Sequence, residues 1–133
     1  VKRIWRLKYL DLAKLLGASE GVEKVMGDVL RVLALYRRLW LTEISMEIEG
    51  MNTTLNESTP SYKDVEKAVN ELSRLGFVCV EKRLRSTLHS EGGIQDLLVT
   101  LNETPELFNA LANDEKLNKY IVIRYSMLRR EQH

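Results

Sequence analysis

The sequence predicts a mainly helical single domain carrying one small antiparallel β-hairpin. Three observations point there. Residues 61–76 repeat apolar side chains at helical spacing and stop at Gly76. Alternating apolar positions begin immediately afterwards, at Val78 and Val80, and return at Leu97, Val99 and Leu101. A polar segment containing Gly92-Gly93 separates the two alternating runs.

From the N-terminal side, residues 2–16 read as a basic amphipathic helix. Trp5, Tyr9, Leu12 and Leu16 form one stripe, Lys2, Arg3, Arg6, Lys8 and Lys14 outweigh Asp11, and Gly17 is a natural stop. Such a helix packs on a core or a partner chain, or serves as a basic arm. Residues 22–40 form the strongest helical pattern, with Val22, Val25, Met26, Val29, Val32, Leu33, Tyr36 and Trp40 on one broad face. Leu30, Leu35 and Leu39 add a second face, which suits a central helix. A short helix is expected at 42–49, with Thr42 as its cap, Ile44 and Ile48 inward, and an acidic outer face of Glu43, Glu47 and Glu49. Residues 50–60 read as a polar connection.

In the 61–76 helix, Val65, Ala68, Val69, Leu72 and Leu75 make the buried face. Ser61 can cap its start, and Gly76 can end it in the left-handed conformation with Phe77 folding back. The hairpin is expected across about 77–86 and 95–102, with Val78, Val80 and Leu84 alternating to one side and Lys82 interrupting them. Ser86 to Ile94 is then too long for a tight turn. Thr104 and Pro105 signal the next helix, with Leu107, Phe108 and Leu111 inward. Asn113 is the expected cap of a last helix over 114–130, although Tyr120 to Ile123 would also suit a strand. The final residues from Arg129 are expected to fray. The expected core includes Leu33, Tyr36, Ile44, Val65, Val69, Leu72, Val78 and Val99. No linker, repeat or low-complexity tract divides residues 1–133, so the reading is one domain: a core at about 22–102 and flanking helices at about 2–16 and 105–130.

Composition narrows the function classes. The 133 residues carry a net charge of only +1, so attraction to a polyanion has to come from local clusters. The single cysteine, Cys79, excludes a disulfide framework and reads as a small core residue. No apolar run is long enough to span a bilayer, and the basic start lacks the apolar stretch of a secretion signal, so a cytoplasmic protein without a membrane partner is expected. On that basis the Asn-x-Ser/Thr triplets at Asn52, Asn56 and Asn102 read as chance. There is no phosphate-binding glycine loop, no dinucleotide fingerprint and no HExxH. The two histidines, His89 and His133, are too few for a zinc site. The expectation is therefore no enzyme, no metal and no cofactor.

The order helix, short helix, helix, strand, loop, strand, helix resembles the winged helix-turn-helix superfamily of prokaryotic and archaeal transcription regulators, loosely of the PadR and MarR types. The tail LSRLGFVCVEKR, with Leu72 and Leu75-Gly76-Phe77-Val78, looks like the end of a recognition helix, and LLVTLNE like the strand that returns from the wing. The long loop before the helix departs from the tightest form of the motif. The resemblance implies a mainly α fold with a winged helix-turn-helix core and helical extensions at both ends. It also implies sequence-specific binding of double-stranded DNA by helix 61–76 and the wing 83–95. The residues placed to do so are Ser61, Tyr62, Lys63, Lys67, Asn70, Arg74, Lys82, Arg83, Arg85 and His89. Asp64, Glu66 and Glu71 cancel the helix's cations, which keeps a second expectation open: a winged helix that docks a protein as a subunit of a larger complex. The family's flanking helices commonly make a twofold dimer. Here that implies a homodimer built on Trp5, Tyr9, Leu12, Ile121, Tyr125 and Leu128, residues that a small core does not readily cover.

Overall fold

A computed structural model describes residues 12–131. Helix α1 covers 12–17 of these, followed by α2 (Gly21–Tyr36), β1 (Arg38–Trp40), α3 (Leu41–Thr54), α4 (Tyr62–Arg74), β2 (Val78–Thr87), β3 (Ser90–Leu101), α5 (Pro105–Ala112) and α6 (Glu115–Glu131). The fold is mainly helical with a small three-stranded antiparallel sheet in the order β1-β3-β2. The expected helix at 2–16 lies outside the described residues as far as position 11.

Helix α2 is the centre of the molecule. Met26 through Leu33 are buried on all sides, because α1, α3, α4 and α5 pack around them. The helix is shorter than its apolar pattern suggests. Leu39 and Trp40 continue the spacing, yet the chain leaves the helix at Arg37, which adopts φ 69 and closes the last turn with its N–H on Leu33 O at 2.7 Å. A non-glycine residue is uncommon there. The compensation is β1, which pairs Arg38, Leu39 and Trp40 with Thr100, Val99 and Leu98 and so covers an edge of β3 that would otherwise be unpaired.

Helix α3 corrects the expected 42–49 in the other direction. It begins at Leu41 and runs to Thr54, through residues of low helix propensity. Burial overrides propensity: Met51 is inside the core, and buried Asn52 donates to Asp28 Oδ2 at 3.2 Å and to Ser58 O at 3.1 Å. Asn56, at φ 59, then ends the helix as a left-handed residue, with Glu57 N–H returning to Asn52 O at 2.7 Å. Thr42 is not the cap. It sits inside the first turn and donates to Asp96 Oδ2 at 2.8 Å, while Glu43 accepts the Trp40 N–H.

The ends of α4 form as the sequence predicts. Ser61 Oγ accepts from Asp64 N–H at 3.2 Å, and Asp64 accepts in return from Ser61 N–H. At the other end Gly76 is left-handed (φ 86), with Phe77 N–H on Leu72 O at 2.9 Å and Gly76 N–H on Ser73 O at 3.1 Å. Val65, Ala68, Val69 and Leu72 face the core. Thr104 and Pro105 start α5 as expected, with Thr104 Oγ1 accepting from Leu107 N–H. Residues 115–131 are helical throughout, which resolves the strand alternative. The cap is Asp114 rather than Asn113: Asp114 Oδ2 accepts from Leu117 N–H at 2.9 Å.

The hairpin is longer than expected and its turn shorter. Pairing runs from Val78↔Leu101 to Arg85↔Ile94, then shifts register and closes at Thr87↔Ser90, leaving Leu88 and His89 as the turn. The glycines lie in β3, where Glu91, Gly92 and Gly93 together oppose Ser86 in a bulge. Of the expected core, Tyr36 is only half-buried. Leu84 is 70% exposed because it lies past the end of the packed sheet. Cys79 is exposed, not buried, on the outer side of β2, with Sγ 3.0 Å from Asn102 Oδ1.

Candidate nucleic-acid interface

The outward face of α4 is set by the burial of its inner one. With Val65, Ala68, Val69 and Leu72 committed to the core, the helical period leaves Tyr62, Lys63, Glu66, Lys67, Asn70 and Arg74 in solvent. Lys63, Lys67 and Asn70 make no side-chain hydrogen bond or ion pair among the described residues. Ser61 spends its oxygen on the helix cap. Arg74 is held by Glu71, Nη2 to Oε2 at 2.8 Å; this contact lowers the Glu71 pKa and raises that of Arg74.

The hairpin presents the second set. Lys82, Arg83 and His89 are exposed. Arg83 pairs with Glu81 two residues back on the same face, at 2.7 Å. Arg85 reaches across the ribbon to Asp96, Nε to Oδ2 at 3.3 Å. Asp96 is buried and also accepts from Thr42 Oγ1 and from Leu97 N–H, so it anchors the start of α3, the hairpin and Arg85 together.

A groove of about 260 Å³ joins the two sets. Leu41, Tyr62, Glu66, Lys82, Gln95, Asp96 and Leu97 line it. Partial burial, then the nearby charges of Asp96 and Glu66, raise the Tyr62 pKa, so its phenol stays protonated and can donate. The structure thus brings Tyr62 and Lys82 to one cleft, with Lys63, Lys67 and Asn70 on the open face of the same helix. It leaves Arg74, Arg83 and Arg85 each beside a carboxylate of its own chain.

Of the residues expected at a dimer seam, Trp5 and Tyr9 lie outside the described residues. Leu12 is buried in the core of its own chain. Ile121, Tyr125 and Leu128 are exposed along the second half of α6, joined there by Val122 and Met127.

A charged cluster escaped the sequence reading. Asp28, 1% exposed, receives Lys116 Nζ at 2.7 Å, Arg31 Nη1 at 2.9 Å and the Asn52 amide. Lys116 and Lys24 also meet Glu57, and Arg31 bridges on to Asp114 and to Leu16 O. Three carboxylates and three cations tie α1, α2, the end of α3 and the start of α6. The available signal was Asp28 and Arg31 three positions apart inside the apolar run VMGDVLRVL, where solvated charges would have no place. A cavity of about 440 Å³ opens beside this cluster, between Ser19–Val25 and Ser58–Pro60.

No protein-family model, curated protein or solved structure matches the chain. Among the described residues no group of His, Cys, Asp or Glu is arranged to hold a metal ion, and no helix is long and apolar enough to cross a membrane.

Proposed function

We propose that the chain is a winged helix-turn-helix protein of the cytoplasm that binds double-stranded DNA sequence-specifically and regulates transcription. In this reading α4 enters the major groove and the β2–β3 hairpin is the wing. The observation that carries it is the α4 face: Lys63, Lys67 and Asn70 make no side-chain hydrogen bond or ion pair among the described residues, and Tyr62 opens onto the groove shared with the hairpin. The DNA-bound form is proposed to be a homodimer joined through α6.

A salt titration of the electrophoretic shift on long duplex DNA tests the reading. Affinity should fall with log salt, with a slope of roughly −0.9 for each phosphate neutralised. No shift at ~50 mM salt, where nonspecific attraction is strong, would sink it.

One observation favours a second reading, docking of a protein partner. Arg74, Arg83 and Arg85 are neutralised within the chain, which breaks up the positive surface, and α6 exposes a row of apolar side chains. Failure of the DNA test would move the proposal there.

A further inference from the structure

The tip of the hairpin differs in chemistry from its base. Strand β1 reaches only Leu98–Thr100 of β3, so from the Lys82↔Leu97 rung outward the hairpin is a ribbon two strands wide. Its base carries Lys82, Arg83 and Arg85. Past Arg85, Glu91 is the one formally charged side chain before the strand returns to Asp96. The apex is apolar: Leu88 is 100% exposed at the turn, and Leu84 and Ile94 stand exposed on opposite faces of the ribbon behind it. Beside Leu88, the Thr87 hydroxyl is the buried side-chain polar atom without a partner among the described residues. A buried polar group left unpaired costs stability, and a rotation about χ1 would offer it to a ligand at the tip. The bulge at Glu91–Gly93 adds twist just behind this apex, and Gly93 is needed there. It adopts φ 78, and a Cβ would come within 3.1 Å of Arg85 O.

We propose that this tip is a wedge for the base stack: Leu88 enters a minor-groove base step and the protein holds its DNA bent. The inference rests on the DNA-binding reading. The faces of stacked bases are apolar, and their phosphate walls are anionic. A slim ribbon with an aliphatic apex, beside the imidazole of His89, and with Lys82 about 20 Å behind at strand rise, is complementary to both. A lipid surface fits less well, because one leucine with no unpaired cation beside it offers little binding free energy. Unstacking a step is costly, so a wedge selects DNA in which that step is already open.

The test compares affinity of the whole protein for a ~30-bp mixed-sequence duplex and for the same duplex kinked by a three-base bulge in one strand. Wild type should prefer the kinked duplex by about tenfold or more, because the unstacking is already done. Leu88→Ala should reduce that preference to below about twofold and still bind the straight duplex; a fully exposed turn residue contributes little to folding. Lys63→Ala should weaken both duplexes alike and leave the ratio intact. A ratio unchanged by Leu88→Ala, or no preference in wild type despite binding, overturns the wedge alone. Absence of binding to either duplex overturns the DNA reading and the wedge with it.

Discussion

Lys116 Nζ, on the first turn of α6, donates to Asp28 Oδ1 in the middle of α2 at 2.7 Å, although 88 positions separate them in the chain. The contact makes a charged pair part of what holds the last helix to the core. Apolar burial along α6 is limited to Leu117 and Tyr120, so the pair and the Arg31–Asp114 bridge carry a large share of the attachment.

Asp28→Asn should cost about 1–3 kcal/mol in urea unfolding, because Arg31 and Lys116 would lose the buried carboxylate they share and keep only Asp114 and Glu57. The same residue predicts the acid limb of stability. Burial acts to raise the Asp28 pKa, but the hydrogen bond and charge of Lys116, with Asn52 and Arg31, outweigh it and hold the carboxyl below its usual value. Glu57 is lowered in the same way by Lys116 and Lys24, against the effect of its own burial. A depressed folded-state pKa contributes stability that is complete above about pH 4, the unfolded carboxylate range, and is lost as pH falls through the folded value. Wild type should lose stability below about pH 4, and Asp28→Asn should do so less steeply. Parallel acid limbs would contradict this account.

Gly27→Ala separates two effects of opposite sign. Alanine favours an isolated helix by about 1 kcal/mol over glycine. In α2, however, a Cβ at position 27 would lie 2.5 Å from the backbone oxygen of Leu15, which cannot swing aside as a side chain could. The substitution should therefore destabilise by about 1–3 kcal/mol, the range for overpacking. A stabilised variant would mean that α1 does not approach α2 so closely.

The exposed row on α6 predicts association. Tyr125 is 62% exposed, and Ile121 and Leu128 flank it at helical spacing. Sedimentation at tens of micromolar should give a dimer. Tyr125→Glu with Leu128→Glu should give a monomer of unchanged helical content, since neither side chain is used by the core. A wild-type monomer would refute the seam.

Lys63 and Arg85 should behave differently when removed, although both were read from the sequence as contacts to DNA. Lys63→Ala should leave stability within about 0.5 kcal/mol and lower DNA affinity or change its sequence preference. Arg85→Ala should also destabilise the fold by about 1–3 kcal/mol, because buried Asp96 loses a charged partner. Equal stability of the two variants would show that Arg85 is not anchored as described.

Much of the helical core was legible because its signals are local. The capping of α4 by Ser61, its left-handed end at Gly76 and the start of α5 at Thr104-Pro105 each depend on residues within a few positions of one another. The errors fall where distant partners decide. Leu39 and Trp40 keep helical spacing but join β1, because β3 supplies hydrogen bonds to them from sixty positions away. Asn52 stays in a helix that propensity would end, because Asp28 needs its amide.

The candidate site divides along the same line. Helical period alone put Lys63, Lys67 and Asn70 on the outer face of α4, since burying Val65, Val69 and Leu72 leaves no other direction for them. Whether Arg83 and Arg85 were free to act could not be read from composition. Arg83 meets Glu81 two residues back on its own strand, whereas the partner of Arg85 is set by strand pairing, which puts Asp96 two rungs away on β3. The buried cluster around Asp28 is the clearest case. Asp28 and Arg31 stand three positions apart in the sequence, but Glu57, Asp114 and Lys116 become their neighbours only when the end of α3 and the start of α6 pack against α2. Buried charges must be neutralised by whatever the tertiary structure brings within a few ångströms, and no local pattern records which groups those are.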